Sequence, residues 1–357
     1  MNAINNTSFE YGQARVRDLQ VEARKENQKH QATGIALNGE SLKASNRFWT
    51  SFFHRFGVSE RIFRYFTHDE VFNRIAQETG NAAVNFCIER GEAGKGTLLA
   101  VTNPTKASLH YEDAMRLVRN SHGADVQYGN GVVTSTLVPR SGDMAFDIGG
   151  DAFENRFLVD LPIDGWTQPR IHLSMLRQVC SNGMVAYSKV FRTDIAVGND
   201  PVHSVARALN GFDNPDGYDA MRQRFEASQR SWASLQECIT LQRYLARADQ
   251  ENGLVNPMQT FMDFRRTVGD LAGMYGLANL NALSTKRLRI LPARCRVYDL
   301  LNFATEVATH HANEAGARRL QAYVGTLISE EYDLEGTAEQ VTEFADFHLV
   351  GSAATAS

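Results

Sequence analysis

Cysteine is scarce in this sequence, and the few cysteines lie far apart. Cys87, Cys180, Cys238 and Cys295 form no CxxC pair and have no histidine at zinc-finger spacing. This distribution argues against a metal framework or a disulfide scaffold and favours four reduced, mostly buried thiols. A chain of 357 residues buries about 75% of the surface that its unfolded form exposes, so its core needs no cross-link.

Long hydrophobic runs and proline are also scarce. No run approaches the roughly 18 apolar residues of a membrane span, and the start, MNAINNTSFEYGQARVRDL, has no apolar segment of signal-peptide length. Eight prolines, 43% hydrophobic residues and 22% charged residues are typical of an ordinary globular protein. We therefore expect a cytoplasmic protein that makes no membrane contact.

Positive charge is absent from the end of the chain. Residues 329–357 contain seven acids and no lysine or arginine, although the whole chain has 37 basic and 41 acidic side chains. The remaining residues therefore hold 37 bases against 34 acids. We predict an acidic C-terminal tail over 329–357 and a slightly basic body, a balance that permits an anionic partner without requiring one.

The order of hydrophobic patterns predicts an α+β protein. Residues 1–45 are polar, with the mixed-charge run Arg15–His30, and predict an extended or loosely helical N-terminal arm. Residues 46–200 begin with aromatics at helical spacing and continue with alternating runs, which predicts an α+β sheet domain. Residues 201–328 have helical periodicity and predict a helical region packed on that domain. The expected fold is a central, mostly antiparallel sheet with N-terminal helices and a predominantly α-helical C-terminal half.

Individual elements follow from the same patterns. Ser59 before Glu60, and Thr67 three residues before Glu70, are typical helix starts, the second of capping-box form. The predicted strands lie at 82–91, 96–105, 131–139, 144–150 and 155–163, and the predicted helices at 111–120, 202–212, 218–248, 258–277 and 297–328.

The segment RQVCSNGMVAYS, residues 177–188, places a cysteine beside Ser-Asn-Gly. Apolar residues from Ile171 to Cys180 fall close to one helical face, Gly183 fits a helix end, and the residues after it alternate, so we predict a helix, a glycine stop and a strand. A nucleophilic thiol needs a helix N-terminus or a paired base. A helix C-terminus instead disfavours the thiolate, so we interpret Cys180 as structural.

Three motifs resemble one phage and plasmid-related family, which is catalogued as a domain of unknown function (number 932). They are RQVCSNGM at 177–184, LLAVTNPTKASLHYEDAMRLV at 98–118 and VYDLLNFATEVATHH at 297–311, and the resemblance covers residues 97–328. The resemblance implies a phage or mobile-element origin. It supplies no activity, catalytic residue or cofactor.

One segment favours nucleic-acid binding. KRLRILPARCR contains Lys286, Arg287, Arg289, Arg294 and Arg296 without an acid, and such a density of bases neutralises phosphates. The adjoining Tyr298 offers a stacking face. Further positive charge comes from Lys189 and Arg192 and, on the predicted long helix, from Arg222, Arg224 and Arg230. We predict a cytoplasmic nucleic-acid-binding protein that is homo-oligomeric and has no cofactor, acting on single-stranded DNA in replication, recombination or annealing. A solvated basic edge paired with the acidic tail is the alternative.

Two other function classes stay open. A phage structural or assembly protein would self-associate through its aromatic N-terminal helices or its C-terminal helices. An enzyme is less favoured, because no HExxH, GxSxG or GxGxxG motif occurs in the required context, and we assign no catalytic and no metal-binding residue. Asp143 with Asp147, and Asp213 with Asp216, are typical of turns, and His310 and His311 of a helix end.

The structural interpretation of Cys180 has a direct test. We expect Cys180→Ala to fold and function almost as the parent does, and we expect the native thiol to resist iodoacetamide while the urea-unfolded protein is labelled in full. Mass spectrometry of the labelled peptides measures both states. Rapid labelling of native Cys180 together with loss of activity would contradict this interpretation and favour an enzyme.

Overall fold

The computed structural model describes residues 7–26, 29–91, 96–141, 145–177, 182–185, 191–328 and Leu334. These residues form two units, each built from separate stretches of the chain. Unit 1 draws on Met1–Leu137, Val159–Arg170 and Asp194–Gly211, and unit 2 on Val138–Leu158, Ile171–Thr193 and Phe212–Ser357. The units thus follow other boundaries than the predicted division near residue 200. Among the described helices, none has both the length and the apolar composition needed to cross a bilayer.

Six strands of unit 1 form one sheet: β1 Ser8–Arg15, β2 Leu19–Glu26, β3 Lys29–Leu37, β4 Glu40–Ala44, β5 Ala83–Arg90 and β6 Gly96–Thr102. Their order in the sheet is β1-β5-β6-β4-β3-β2. Neighbouring strands pair antiparallel except β4 and β6, which are parallel. The strands predicted at 82–91 and 96–105 are β5 and β6, which pair with each other.

The expectation of a polar N-terminal arm is wrong, because residues 8–44 supply four strands of this sheet. The arm contains few apolar residues, but those at Val16, Leu19, Ile35 and Leu42 are buried in the core of unit 1. Strand β1 pairs along its length with β5, far along the chain, so its stability comes from a partner that no local pattern indicates.

Helices with many aromatic side chains cover this sheet. The helical elements are α1 Asn46–Phe56, a 3₁₀ turn at Glu60–Arg64 and α2 His68–Thr79. The predicted capping box is confirmed, since the Thr67 N–H donates to Glu70 Oε2 at 2.7 Å and the Glu70 N–H donates to Thr67 Oγ1 at 3.2 Å. Ser59 begins the 3₁₀ turn as predicted, with its Oγ accepting from the Arg61 N–H. Phe52 is fully buried and stacks on Phe72 with ring centroids 4.6 Å apart.

A buried ion pair joins α1 to the segment 159–170 of unit 1. The Arg47 guanidinium donates to both carboxylate oxygens of Asp164, at 2.5 and 2.9 Å, and the Asp164 side chain has no solvent exposure. Because a lone buried carboxylate is costly, each partner depends on the other. The unit also contains α3 Tyr111–Asn120, β7 Ala124–Gly129, β8 Val132–Leu137 and α4 Pro201–Gly211, of which α3, β8 and α4 were predicted.

Unit 2 contains a second group of strands. Strand β10 pairs antiparallel with β9 through a Gly149-Gly150 turn in which both φ angles are positive, at 65° and 89°, a conformation suited to glycine. Strand β11 lies between β10 and β12 and also pairs with β13. The strands are β9 Ala145–Ile148, β10 Asp151–Pro162 (up to Leu158 in this unit), β11 Arg170–Arg177, β12 Asn182–Val185 and β13 Arg192–Asp194.

The predicted helix before Gly183 is wrong, because Arg170–Arg177 is strand β11. Residues Ile171–Met175 are all buried, and a short continuous apolar run is equally compatible with a buried strand and a buried helix. The glycine stop is wrong as well, since Gly183 lies inside β12, opposite Leu176. Cys180 itself lies outside the described residues.

Helices make up most of the rest of unit 2, and the α+β class is confirmed, while the predicted helical C-terminal half is supported in part. The predicted single helix over 218–248 is instead two helices, because Ser234 caps a new one in a capping box with Glu237. The elements are α5 Pro215–Arg230, β14 Trp232–Ser234, α6 Leu235–Gln250, α7 Pro257–Val268, α8 Thr285–Ile290, β15 Pro292–Arg296, α9 Val297–Glu306, a π-helical turn Val307–His311 and α10 Glu314–Leu327.

The carboxyl group of Glu237 is buried within this capping box. Its Oε2 accepts from the Ser234 N–H at 2.7 Å, and the Glu237 N–H donates to Ser234 Oγ at 3.3 Å. Burial raises the pKa of Glu237 from its ordinary value of 4.5 to about 7, although the hydrogen bonds from Ser234 oppose the rise. The protonated carboxyl's contribution to stability is therefore fully present below about pH 4.5 and is lost as the pH rises through about 7.

Glu237→Gln should remove this pH dependence, because glutamine also completes a capping box and carries no charge. As the pH is raised from mildly acidic to mildly basic, the free energy of unfolding of the variant should rise relative to that of the parent by up to about 3 kcal/mol. Urea denaturation across that range measures the gain. The exposed Glu306→Gln is the control and should follow the parent. Parallel pH profiles for Glu237→Gln and the parent would contradict the assignment.

Candidate nucleic-acid interface

Three basic residues of the predicted cluster lie on α8, a short helix that is anchored by one buried side chain. Leu288 is buried, whereas Lys286, Arg287 and Arg289 are exposed. The Leu291 carbonyl that follows the helix accepts from the Leu235 N–H at 2.9 Å, which ties α8 to the start of α6. The helix therefore presents its basic side chains to solvent from a fixed position in unit 2.

The other two basic residues of the cluster lie on β15, which pairs antiparallel with β14 in a two-stranded ribbon. Side chains alternate along β15, so Cys295 is buried while Arg294 is exposed and Arg296 is half-buried on the opposite face. Trp232 on β14 pairs with Arg296 across the ribbon. The Arg296 guanidinium carbon lies 3.6 Å from the centroid of the Trp232 ring, a cation–π contact, and the ring remains 38% exposed.

Arg296 also holds the ribbon to the neighbouring helices. Its Nη1 donates to the carbonyl oxygen of Arg230, the last residue of α5, at 2.6 Å. Its backbone N–H donates to Asp299 Oδ2 at 2.7 Å, at the start of α9. The Arg296 side chain is thus a positioning group that supports the Trp232 ring.

Within the described part of the chain, no acid pairs with the basic residues of this cluster. Among the described residues, none of the five bases Lys286, Arg287, Arg289, Arg294 and Arg296 forms an ion pair with a carboxylate. Many other arginines of unit 2 are paired. Arg230, exposed at the end of α5 and also without an ion pair in the described part of the chain, adds a sixth positive charge next to the ribbon. Unpaired exposed bases at this density attract an anionic partner.

Most of the other predicted bases do not add to this cluster. Lys189 lies outside the described residues. Arg192 is half-buried on β13, a strand of a different sheet from β15. Arg222 lies between Asp219 at 3.5 Å and Glu226 at 3.7 Å, and the Arg224 Nε donates to the Ile328 carbonyl at 3.1 Å.

Tyr298 does not offer the predicted stacking face. It is 9% exposed, and its hydroxyl donates to Asp151 Oδ2 at 2.9 Å, so its ring belongs to the core. Burial and this bond raise the pKa of Tyr298 above its ordinary range. The exposed ring is that of Trp232, a residue within the predicted helix over 218–248. The signal in the sequence is Ser234 followed three residues on by Glu237, because this pair forms a capping box that starts a new helix after Trp232.

The enzyme hypotheses gain no support from the described residues. Within them, no three His, Cys, Asp or Glu side chains come together to hold a metal ion. Asp147 Oδ1 accepts from the Gly150 N–H at 2.8 Å and thus stabilises a turn, and Asp143 lies outside the described part. Contact with Cys295 together with burial raises the pKa of Cys238, and burial raises that of Cys87, which disfavours a reactive thiolate in both.

One residue of the predicted acidic tail is described. Leu334 is buried, and its carbonyl accepts a hydrogen bond from the Ser231 hydroxyl, next to Trp232 in the chain. The other residues of 329–357 lie outside the described part.

Comparisons with protein-family models, with curated proteins and with solved structures found no match for this chain. The family resemblance of the three motifs therefore stays a prediction.

Proposed function

We propose that this protein binds single-stranded nucleic acid, with DNA as the expected form, through the basic cluster of α8 and the β14–β15 ribbon. The observation that carries the proposal is the Trp232 ring held by Arg296 beside exposed basic side chains that have no ion pair among the described residues. Lysine and arginine contact phosphates and release counterions, which supplies affinity without sequence preference. An exposed ring adds a surface for an unstacked base.

The aromatic component favours a single strand over a duplex. In a duplex the bases are stacked on each other, so a surface ring reaches only their edges or the backbone. In a single strand each base presents a π-face, and stacking on Trp232 tolerates any sequence. In keeping with the family resemblance, we place this binding in phage replication or recombination within the host cytoplasm, without a cofactor.

A triple variant tests the cluster. Arg287→Ala, Arg289→Ala and Arg294→Ala together should weaken binding to a labelled oligothymidylate and reduce the slope of log affinity against log salt by about 2, since each single-strand phosphate contact contributes about 0.7. Fluorescence anisotropy at several salt concentrations measures both quantities. All three side chains are exposed, so we expect the fold to persist.

A matched control removes the same charge elsewhere in unit 2. Each of the arginines in this control is paired with an acid three or four residues away in the chain, so its replacement by alanine should leave the salt slope close to that of the parent; they are Arg222, Arg247 and Arg266. Equal slopes for the cluster variant and the parent, or equal losses in cluster variant and control, would reject the cluster as the interface.

A second candidate function, a self-associating structural or assembly protein, is favoured by one apolar surface. Val255, Met258 and Met262 are 72%, 77% and 47% exposed, and the two methionines are neighbours at i and i+4 on α7. Exposed apolar side chains at adjacent positions are typical of a contact with a protein partner, and here the partner we propose is a second copy of the chain.

Light scattering after size exclusion tests this candidate. If copies meet through this surface, the parent should elute as an oligomer of the 39.8 kDa chain, and Met258→Gln with Met262→Gln should shift it toward the monomer. Val138→Gln, at another exposed apolar position, is the control and should leave the mass unchanged. A monomeric parent over the accessible concentration range would reject self-association through α7.

A further inference from the structure

Unit 1 contains an open cleft whose walls are aromatic. It has a volume of about 520 Å³, and Trp49 and Phe53 on α1 face Phe63 and His68 across it. The Phe63 and His68 rings stack with centroids 4.0 Å apart, and Trp49 meets them edge-on at 5.9 and 5.8 Å. A second cleft of about 460 Å³ shares Phe63, His68 and Glu60 with the first and extends to Arg61 and Arg64.

Two further rings lie between the cleft residues Phe63 and His68 in the chain. Tyr65 is 81% exposed and Phe66 is 55% exposed. Both residues follow the 3₁₀ turn, and their backbone N–H groups donate to the Ile62 carbonyl at 3.0 Å each. The rings are therefore exposed by an ordered turn.

Charges of both signs lie along the segment that lines the cleft. Residues 54–70 contain three arginines and three acids, Glu60, Asp69 and Glu70, and the Glu70 carboxylate is bonded to the Thr67 N–H in the capping box. Arg61 and Arg64 are exposed, and neither forms an ion pair among the described residues. Glu60 lines both parts of the cleft. An anionic group is thus favoured beside the arginines and disfavoured inside the cleft next to the carboxylate.

We propose that the cleft and its two surface rings bind the bases of single-stranded nucleic acid while Arg61 and Arg64 contact the adjoining phosphates. This inference rests on the proposed function for its ligand class, but it assigns a second site in unit 1, made of other residues. A nucleobase is neutral and flat, so its faces stack on aromatic rings. The exocyclic amino group of adenine, cytosine or guanine, or the N3–H of thymine, donates to a carboxylate such as that of Glu60.

The arrangement of charges distinguishes a nucleotide from other ligands. A wholly apolar ligand has no use for unpaired arginines beside the rings, and an acidic peptide would place carboxylates against Glu60. A nucleotide combines a neutral ring with an anionic phosphate on one molecule, which matches a cleft with aromatic walls and arginines at its edge. Each cleft is also large enough for a base with its sugar.

A comparison of two oligonucleotides separates stacking from phosphate contact. One is an oligothymidylate, and the other is an abasic strand of equal length, which keeps the phosphates and lacks the bases. We expect Tyr65→Ala with Phe66→Ala to weaken oligothymidylate binding about fivefold or more and to leave abasic-strand binding unchanged. The ring-preserving control, Tyr65→Phe with Phe66→Tyr, should bind both strands as the parent does. Thermal melting checks that each variant folds.

Photocrosslinking gives an independent readout in the parent protein. An oligonucleotide that contains 5-iododeoxyuridine should crosslink to Tyr65, Phe66 or Trp49, and peptide mass spectrometry locates the crosslink. A parent that binds neither strand would overturn this inference and the proposed function together. A parent that binds oligothymidylate with no loss in Tyr65→Ala, Phe66→Ala and no crosslink in residues 49–68 would overturn this inference alone.

Discussion

The candidate interface of unit 2 depends on the side chain of Arg296. Its guanidinium lies on the Trp232 ring and donates to the last carbonyl of α5, while its backbone N–H bonds to Asp299 at the start of α9. One residue thus fixes the ribbon between two helices. The guanidinium is planar, so it stacks and donates at the same time, which the compact ammonium of lysine does not do. Because Arg296 is held in this way, the alternation of β15 directs Arg294 to solvent.

Exposed positive charges without acidic neighbours destabilise the folded state through their mutual repulsion. Elsewhere in unit 2, arginines such as Arg222, Arg247 and Arg266 offset their charge with an acid three or four residues away in the chain. The α8 and β15 bases have no such pairing within the described chain. A surface that leaves its charges unpaired gains stability when an anion binds, which is the physical basis of the proposed interaction.

The sequence predicted elements well where local signals determine them and poorly where distant partners do. Strands β8, β9 and β10 and helix α3 have clear periodicity and Gly-Gly or Asp-Gly turns, and they form as predicted. The strands before residue 45 were missed because β1 is stabilised by pairing with β5, which is distant in the chain. Strand β11 was predicted as a helix because its apolar run fits either a buried strand or a buried helix. The basic cluster was evident from composition alone. Its ring was not, since Trp232 meets Arg296 only through the pairing of β14 with β15.

The two proposed sites combine the same two kinds of interaction, and those interactions respond differently to salt. Phosphate contacts by arginine weaken steeply as counterions are added, whereas stacking on Trp232, Tyr65 or Phe66 changes little. A cluster made only of basic side chains would bind duplex and single strand through the same phosphates. Exposed aromatic rings gain contact only with nucleobases that are not stacked on each other, so their contribution to the affinity is specific to the single strand. That contribution also persists at high salt. The preference for single strands that we propose should therefore increase as salt is added.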